Sequence, residues 1–425
     1  MPRIKQLHLV YFWLALFLFS MVYSKFLLSV SMFGLGFSAV FIISEATGKL
    51  QFRSGFFKNF RTFLDHPTFW SLGLLVMVYL LSGLYSDDLS EWWWRVRTKS
   101  PFLLIPLTFF IYEKWPKALY ERVMMFFVIV MSLSALWVSG YYLSHQEEVV
   151  ELLRVGKTMP TPCHHIRFSI MLSIAAIIAV YHLLFDPGQR PRWLYPICVV
   201  LLVIGLHVLS VRSGLITLYL GLFSLAMIKL FQNGRSIISI LILLMILAVP
   251  FIAYRMLPSF KQKIDYVRWD LQQFQKTEGD NYSDSERILS LRAGWEIWRS
   301  NPLFGVGIGD LRSSMKTYYL ENYEKEEAKF PHNQFLFVLA GCGLIGAILF
   351  FGGFFWPLIA VRTRYKALLF AIYIILTASF MVENTIETAV GTATTLFWIV
   401  FFIKEGHDHP MVRRARSHED DKSVG

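Results

Sequence analysis

The sequence predicts an all-α polytopic membrane protein, with about twelve transmembrane helices and one large extramembrane loop carrying amphipathic helices. Three observations carry that expectation. Of 425 residues, 55% are hydrophobic and only 17% are charged, against about 25% charged in ordinary soluble domains. Apolar stretches of about 18 residues or more, each long enough to cross the hydrocarbon core as a helix, recur from end to end. The mean hydropathy is +0.48. Together these exclude a soluble enzyme, a disordered chain, a collagen and a disulfide scaffold. Cys163, Cys198 and Cys342 are far apart, two of them inside apolar runs, so neither disulfide nor metal spacing is present.

The first apolar run, 8–23, has no small-residue cleavage site and is followed at once by 26–44, so it reads as a retained helix. Spans follow at 67–85 and at 101–112, the latter short and opened by Pro101. Five more lie at 123–143, 166–185, 193–211, 213–230 and 237–256, and the last three at 333–359, 367–383 and 388–403. The chain thus divides into a nine-span part (1–256), an extramembrane loop (257–331), a three-span part (332–403) and a tail (404–425).

The net charge of +11 supplies the orientation. The N-terminus and segments 45–66, 113–122, 186–192, 229–235 and 362–366 are all basic, and they alternate with acidic or mixed ones such as 86–100 and 144–165. The positive-inside rule makes the basic set, and both termini with it, cytoplasmic. That set holds 21 Lys+Arg and 10 Asp+Glu, while the outer segments hold 20 of each. The whole excess is therefore an orientation signal, and no nucleic-acid partner is implied. Segment 257–331 then lies outside.

Within that outer segment, Phe260, Ile264, Val267, Leu271 and Phe274 recur at three- and four-residue steps, with Lys261, Lys263, Asp265, Arg268 and Asp270 on the other faces. This is the pattern of an amphipathic helix over 258–276 at the membrane surface. Ser283-Asp284-Ser285-Glu286 has capping-box spacing and predicts a second helix, with an apolar stripe of Ile288, Leu291, Trp295 and Trp298 that ends at Asn301-Pro302.

Three constellations could carry chemistry. Arg212, in Ser210-Val211-Arg212-Ser213-Gly214, sits where two spans meet almost without a loop, and a guanidinium at that depth needs a partner or a wet cavity. Arg287 opens the second outer helix, with Arg292 and Arg299 further along. A guanidinium fork matches phosphate oxygens, and a helix N-terminus adds N–H donors for an anion. His332, in Pro331-His332-Asn333-Gln334, lies at the mouth of a span. An imidazole of ordinary pKa, about 6.5, can serve there as a general base or simply as a hydrogen-bonded interfacial residue. Gly305-Val306-Gly307-Ile308-Gly309 follows no strand and opens no βαβ unit, so it is no dinucleotide fingerprint. Its glycines could instead let backbone approach a substrate. The adjacent His164-His165 pair is weak evidence for metal. Glu383 and Glu387 bracket a short outer turn and could pair with an arginine or belong to a site.

Taken in order, "LSVRSGLITLYLG", "SERILSLRAGWEIWRSNPLFGVGIGDL" and "HNQFLFVLAGCGLIGAILF" resemble the bacterial O-antigen ligase family and its relatives, the Wzy-type polymerases. The resemblance is strongest over about 200–403, and "SVRSG" departs from it in having valine before the arginine, where many members have serine. It implies a GT-C-like, metal-independent, cofactor-free inverting glycosyltransferase of the inner membrane, working at the periplasmic face in lipopolysaccharide biosynthesis. The implied donor is a glycan on undecaprenyl diphosphate. The acceptor is a sugar of lipid A–core in a ligase, or another lipid-linked unit in a polymerase. By position, Arg212 and Arg287, with Arg292 as a further candidate, hold the diphosphate, and His332 is the base. A transporter of a lipid-linked anion is the competing reading from another class, although no internal repeat supports it.

Overall fold

The computed structural model describes residues 4–43, 48–186, 193–233, 236–276 and 283–410. The chain runs α1 (Ile4–Tyr23), α2 (Lys25–Val40), a hairpin of β1 (Phe41–Ile43) and β2 (Leu50–Phe52), α3 (Phe56–Leu64), α4 (Pro67–Trp70), α5 (Leu74–Ser82), α6 (Leu89–Lys99), α7 (Pro101–Ile111) and α8 (Lys117–Ser144). It continues through α9 (Gln146–Arg154), α10 (His165–Phe185), α11 (Leu194–Leu209), α12 (Arg212–Asn233), α13 (Ile237–Met256) and α14 (Pro258–Lys276). The last elements are α15 (Ser283–Ser300), α16 (Leu311–Tyr323), α17 (Gln334–Ala360), α18 (Lys366–Val382) and α19 (Ala389–Asp408). The all-α membrane class predicted from composition is what this architecture shows.

Each of the twelve apolar stretches is helical, with differing reach. Among the described residues, seven helices are long and apolar enough to cross a membrane: α1, α8, α10, α12, α13, α17 and α19. Three more, α2, α11 and α18, have 16 or 17 residues. At about 1.5 Å rise per residue these fall short of the ~30 Å hydrocarbon core. The stretch 67–85 is α4 and α5 joined through a 3₁₀ turn, and it meets α3 at a bend of 83°. The stretch 26–44 ends earlier than periodicity predicted. Its β-branched close pairs as a strand, Phe41 with Phe52 and Ile42 with Gln51, in line with the strand preference of aromatic and β-branched residues.

α10 is the buried axis of the bundle, packed by α8, α11, α12 and α18, and α19 is buried against α1, α7 and α18. α13 lies at the edge, with Leu241, Leu244, Leu247 and Phe251 facing outward. The connectors sort to two ends. At one, Arg53 donates to the Ala39 carbonyl (2.6 Å) and meets Glu113, Lys404 donates to the Tyr112 carbonyl (2.8 Å) and Arg364 meets Glu121. All of these belong to the basic connectors or to the helix ends beside them. The segments read as outer meet at the opposite end. The side chains of Asp270, Leu271, Phe274, Ser283 and Asp284, together with Arg190, Arg192, Arg235 and residues 411–425, lie outside the described residues.

The two glycine-rich motifs explain each other. Gly343 interrupts α17 with φ 66° and ψ −171°, and the opened ladder is repaired by the 302–307 strip. Leu344 and Ile345 N–H donate to the Pro302 and Leu303 carbonyls (2.9 and 3.2 Å). In return, Val306 and Gly307 N–H donate to the Ala340 and Gly341 carbonyls (both 3.0 Å). Broken helix at membrane depth is tolerated where protein satisfies the freed groups in this way. A side chain at Gly343 would run into the Leu303 carbonyl, and one at Gly305 would meet backbone of α17 at 2.6 Å. Backbone does approach closely at Gly305–Gly309: Gly305 and Gly307 lie against α17, and Gly309 lies against the Ser86–Asp88 turn. Asp310 completes the clasp by accepting from Asp87 and Asp88 N–H at 2.8 Å each.

The outer helices are turned differently from the periodic reading. On α15 the buried face is Leu289, Ala293 and Ile297, while Trp295 is half exposed and stacks edge-on with Trp298. Small residues set that face: a Cβ at Gly294 would stand 2.6 Å from the Pro331 ring. Hydrophobicity alone cannot separate a face turned to protein from one turned to lipid, because both are apolar. α14 packs on α9, α11 and α15. Phe260, from the stripe read as facing the membrane surface, is buried there against protein beside His207.

Candidate functional site

A cavity of about 570 Å³ opens at the end opposite the basic connectors, lined by Arg212, Arg287, Lys157, Lys263, His165 and Ser210 among others. Four cationic side chains thus converge from α12, α15, α14 and the 155–164 connector, and among the described residues the lining holds no carboxylate. Local structure explains the convergence. α11 ends at Ser210, a non-glycine residue with φ 54°, whose hydroxyl donates back to the His207 carbonyl at 2.8 Å. Such left-handed backbone is strained by about 1–3 kcal/mol and gathers at functional sites. Here it swings the chain directly into α12, so Arg212 arrives in a first turn whose N–H groups have no carbonyl within the helix. The positive end of the helix adds to the charge of the guanidinium.

Arg287 reaches the cavity from the first turns of α15, and that turn is tied to His332. Ser290 Oγ donates to the Arg287 carbonyl (2.8 Å) and accepts the His332 N–H (3.3 Å). The His332 ring is held by Glu383, with Nδ1 3.2 Å from Oε1. An ionised carboxylate only accepts, so Nδ1 carries the proton and Nε2 presents its lone pair. Nε2 makes no hydrogen bond among the described residues. α18 ends at Val382, a cavity-lining residue, which leaves Glu383 in the outer turn at the cavity's edge. Burial pushes the Glu383 carboxyl up. The hydrogen bond and electrostatic attraction of His332, with the positive charges of Arg167 and Arg287, outweigh it and hold the group below the usual carboxylate range. Arg167 also donates to His164 Nδ1 at 3.0 Å.

Glu387, four residues on, does different work. It accepts from Tyr79 OH (2.8 Å), Gln334 Nε2 (2.9 Å), Lys99 Nζ (3.0 Å) and Arg95 (3.4 Å), with all five side chains buried. Lys99 and Gln334 also bond Ile386 backbone (2.6 and 3.2 Å), and the Asn333 side chain donates to the Met381 carbonyl (3.1 Å). The network pins the turn that bears Glu383 to the first turn of α17 that bears His332.

Of the residues singled out from sequence, the structure brings together Arg212 and Arg287 on one cavity wall and sets His332 beside it. Arg292 is exposed on α15 and outside the cavity lining, and Arg299 is exposed beside Glu296. Arg292 is thus not joined to the other two arginines. Sequence reasoning missed Lys157 and Arg167 altogether, and read Lys263 only as part of a polar helix face and His165 only as half of a weak metal pair. Among the described residues no group of three His, Cys, Asp or Glu converges, and the three cysteines are free thiols.

Residues 197–351 match the family model described as O-antigen ligase (Wzy_C). The matched segment covers about a third of the chain. It supports the resemblance drawn from the motifs, and members of that family are glycosyltransferase-like enzymes of the ligase and polymerase kind. No curated protein matches the chain. The O-antigen ligase domain takes in Arg212, Arg287, Arg292 and His332 and the whole glycine clasp. It stops short of Glu383, so part of the site geometry is built by the three-span end of the chain.

Proposed function

We propose that the protein is an O-antigen ligase-type inverting glycosyltransferase, moving a glycan from undecaprenyl diphosphate to a sugar hydroxyl of lipid A–core. The basic end faces the cytoplasm, and the cationic cavity faces the periplasm. The observation that carries this reading is the shared cavity of Arg212 and Arg287 with the His332–Glu383 pair at its edge.

The chemistry follows from the donor set. The guanidinium groups of Arg212 and Arg287, with Lys157 and Lys263, hold the diphosphate and stabilise the charge that grows on it, an electrostatic effect of the kind that dominates many enzymes. His332 Nε2 takes the proton of the acceptor hydroxyl. The acceptor oxygen forms its bond to the anomeric carbon as the bond from that carbon to the diphosphate oxygen breaks. The electron pair leaves with the diphosphate, and attack from the opposite face inverts the anomeric centre. Glu383 holds the ring and stabilises the imidazolium that forms.

The test is transfer by purified protein between a defined lipid-linked donor and a core acceptor. His332→Ala and Arg212→Ala abolish transfer at unchanged abundance, and the wild type works in EDTA. Transfer retained by the His332 variant refutes the base, and activity lost to EDTA but restored by Mg²⁺ or Mn²⁺ refutes the metal-free mechanism. Transfer only onto a second lipid-linked unit makes the protein a polymerase, and movement of the donor without covalent transfer makes it a transporter.

A further inference from the structure

A second polar cavity, of about 400 Å³, lies on the other side of Arg287's helix turn, lined by Glu286, Tyr319, Lys325, Glu326 and Lys329 among others. Three costly features meet in it. The Tyr319 side chain is 2% exposed and its hydroxyl, beside the Lys329 backbone, makes no well-formed hydrogen bond among the described residues. Lys325 Nζ is a buried donor, again with no acceptor among the described residues. α16 ends in Glu324 at φ 53°, a left-handed position normally taken by glycine. That turn folds Lys325 back over α16, with its N–H on the Tyr319 carbonyl at 3.3 Å. Buried polar groups are almost always paired, and each orphan destabilises a fold unless a ligand satisfies it.

From this we infer that the cavity is a saccharide subsite. A pyranose presents closely spaced hydroxyls that both donate and accept. Here Tyr319 OH can do both, Lys325 Nζ donates, and the Glu326 and Glu327 carboxylates at the rim accept. Lys329 is already engaged by Glu286, which leaves Lys325 as the cation turned to the ligand. Tyr319 and Tyr323, with ring centroids 5.2 Å apart, bring aromatic surface to the same end of α16. Because Glu286 and Arg287 are consecutive, the subsite stands beside the diphosphate cavity and grips a sugar unit removed from the reacting one. This rests on the glycosyltransferase reading for the identity of the sugar, not for the existence of the site. The sugar belongs either to the donor glycan or to the acceptor core.

The experiment titrates the full-length protein in detergent with the free donor oligosaccharide and, separately, with the free core oligosaccharide, by calorimetry. Wild type binds one of them, and which one names the source. Tyr319→Phe and Lys325→Met each weaken that binding about tenfold, the worth of one hydrogen bond. Tyr319→Phe also melts no lower than wild type, because it deletes an unpaired hydroxyl. In the transfer assay the same variants raise KM for that substrate alone and leave kcat unchanged. Wild-type affinity in both variants, or binding of inorganic phosphate in place of either sugar, overturns the subsite. Transfer without any effect of the variants removes the subsite and spares the function. Oligosaccharide binding that the variants weaken, in a protein that never transfers, does the reverse.

Discussion

Replacing Glu383 by glutamine separates the charge of that residue from its shape. In Glu383→Gln the side-chain amide oxygen can still accept from His332 Nδ1 across the observed 3.2 Å, so the ring keeps its tautomer and direction. What is lost is the negative charge beside an imidazole that becomes positive as the acceptor is deprotonated. A hydrogen bond to a charged group contributes about 1.5–3 kcal/mol and a neutral one about 0.5–1.5, so the transition state loses about 1–2 kcal/mol. That corresponds to a fall in kcat of roughly five- to thirtyfold. Glu383→Ala also frees the ring, and its loss approaches the ~10²–10⁴ that general-base catalysis supplies. Donor KM does not rise in the glutamine variant, because Arg212 and Arg287 remain and a nearby negative charge has been removed from an anion site. The assay is steady-state transfer from a fluorescent lipid-linked donor at several pH values. A glutamine variant with kcat within twofold of wild type, or one that loses donor affinity at unchanged kcat, refutes the role assigned to Glu383.

Glu387→Gln behaves oppositely, as a stability variant. It leaves Lys99 and Arg95 buried with a neutral partner, so unfolding in detergent falls by about 3–5 kcal/mol, read as a lower melting temperature. In the wild type, burial raises this carboxyl, but the charges of Lys99 and Arg95 and the hydrogen bonds from Gln334 and Lys99 prevail and hold it below the usual range. A depressed folded value means the contribution is complete above the unfolded value of about 4.3 and is lost only as pH falls through the folded one. An unchanged melting temperature removes the network from the structural argument. Gly343→Ala places a side chain against the Leu303 carbonyl in left-handed backbone. It loses at least about 1–2 kcal/mol from conformation alone and accumulates poorly. Wild-type abundance and melting for that variant contradict the clasp.

The sequence made the membrane class, the helical stretches and the three motif-borne residues legible, because each leaves a local mark. Apolar runs mark helices, Arg212 and His332 stand at span ends where a polar residue is conspicuous, and Arg287 opens a helix marked by its capping-box spacing. Lys157, Lys263 and Arg167 left no such mark. A lysine opposite an apolar stripe reads as solvated, and only the packing of α14 on α9 and α11 turns Lys263 into a cavity wall. Glu383 and Glu387 looked alike in one short turn. Their roles parted through partners more than 50 residues away in sequence, His332 for one and Lys99, Arg95 and Tyr79 for the other. The α15 stripe failed for a different reason: with lipid as a second apolar solvent, the faces with the largest side chains need not face protein.

The same long-range ties join the parts of the site through hydrogen bonds of the protein itself. Arg287 and His332 belong to separate helices, α15 and the start of α17, and both helices are flanked by the 301–310 strip that the glycine clasp locks to α17. Ser290 then joins the two residues through one hydroxyl, and Glu387 fixes the turn that carries the third, Glu383. A misplacement of about 1 Å can cost a hundredfold in rate, so under the proposed function the backbone hydrogen bonds through Gly341 and Gly307 bear on catalysis. The "NPLFGVGIGD" block is in this view the mount of the active site, placed in the chain between the arginine and the histidine because it holds those two at a set distance.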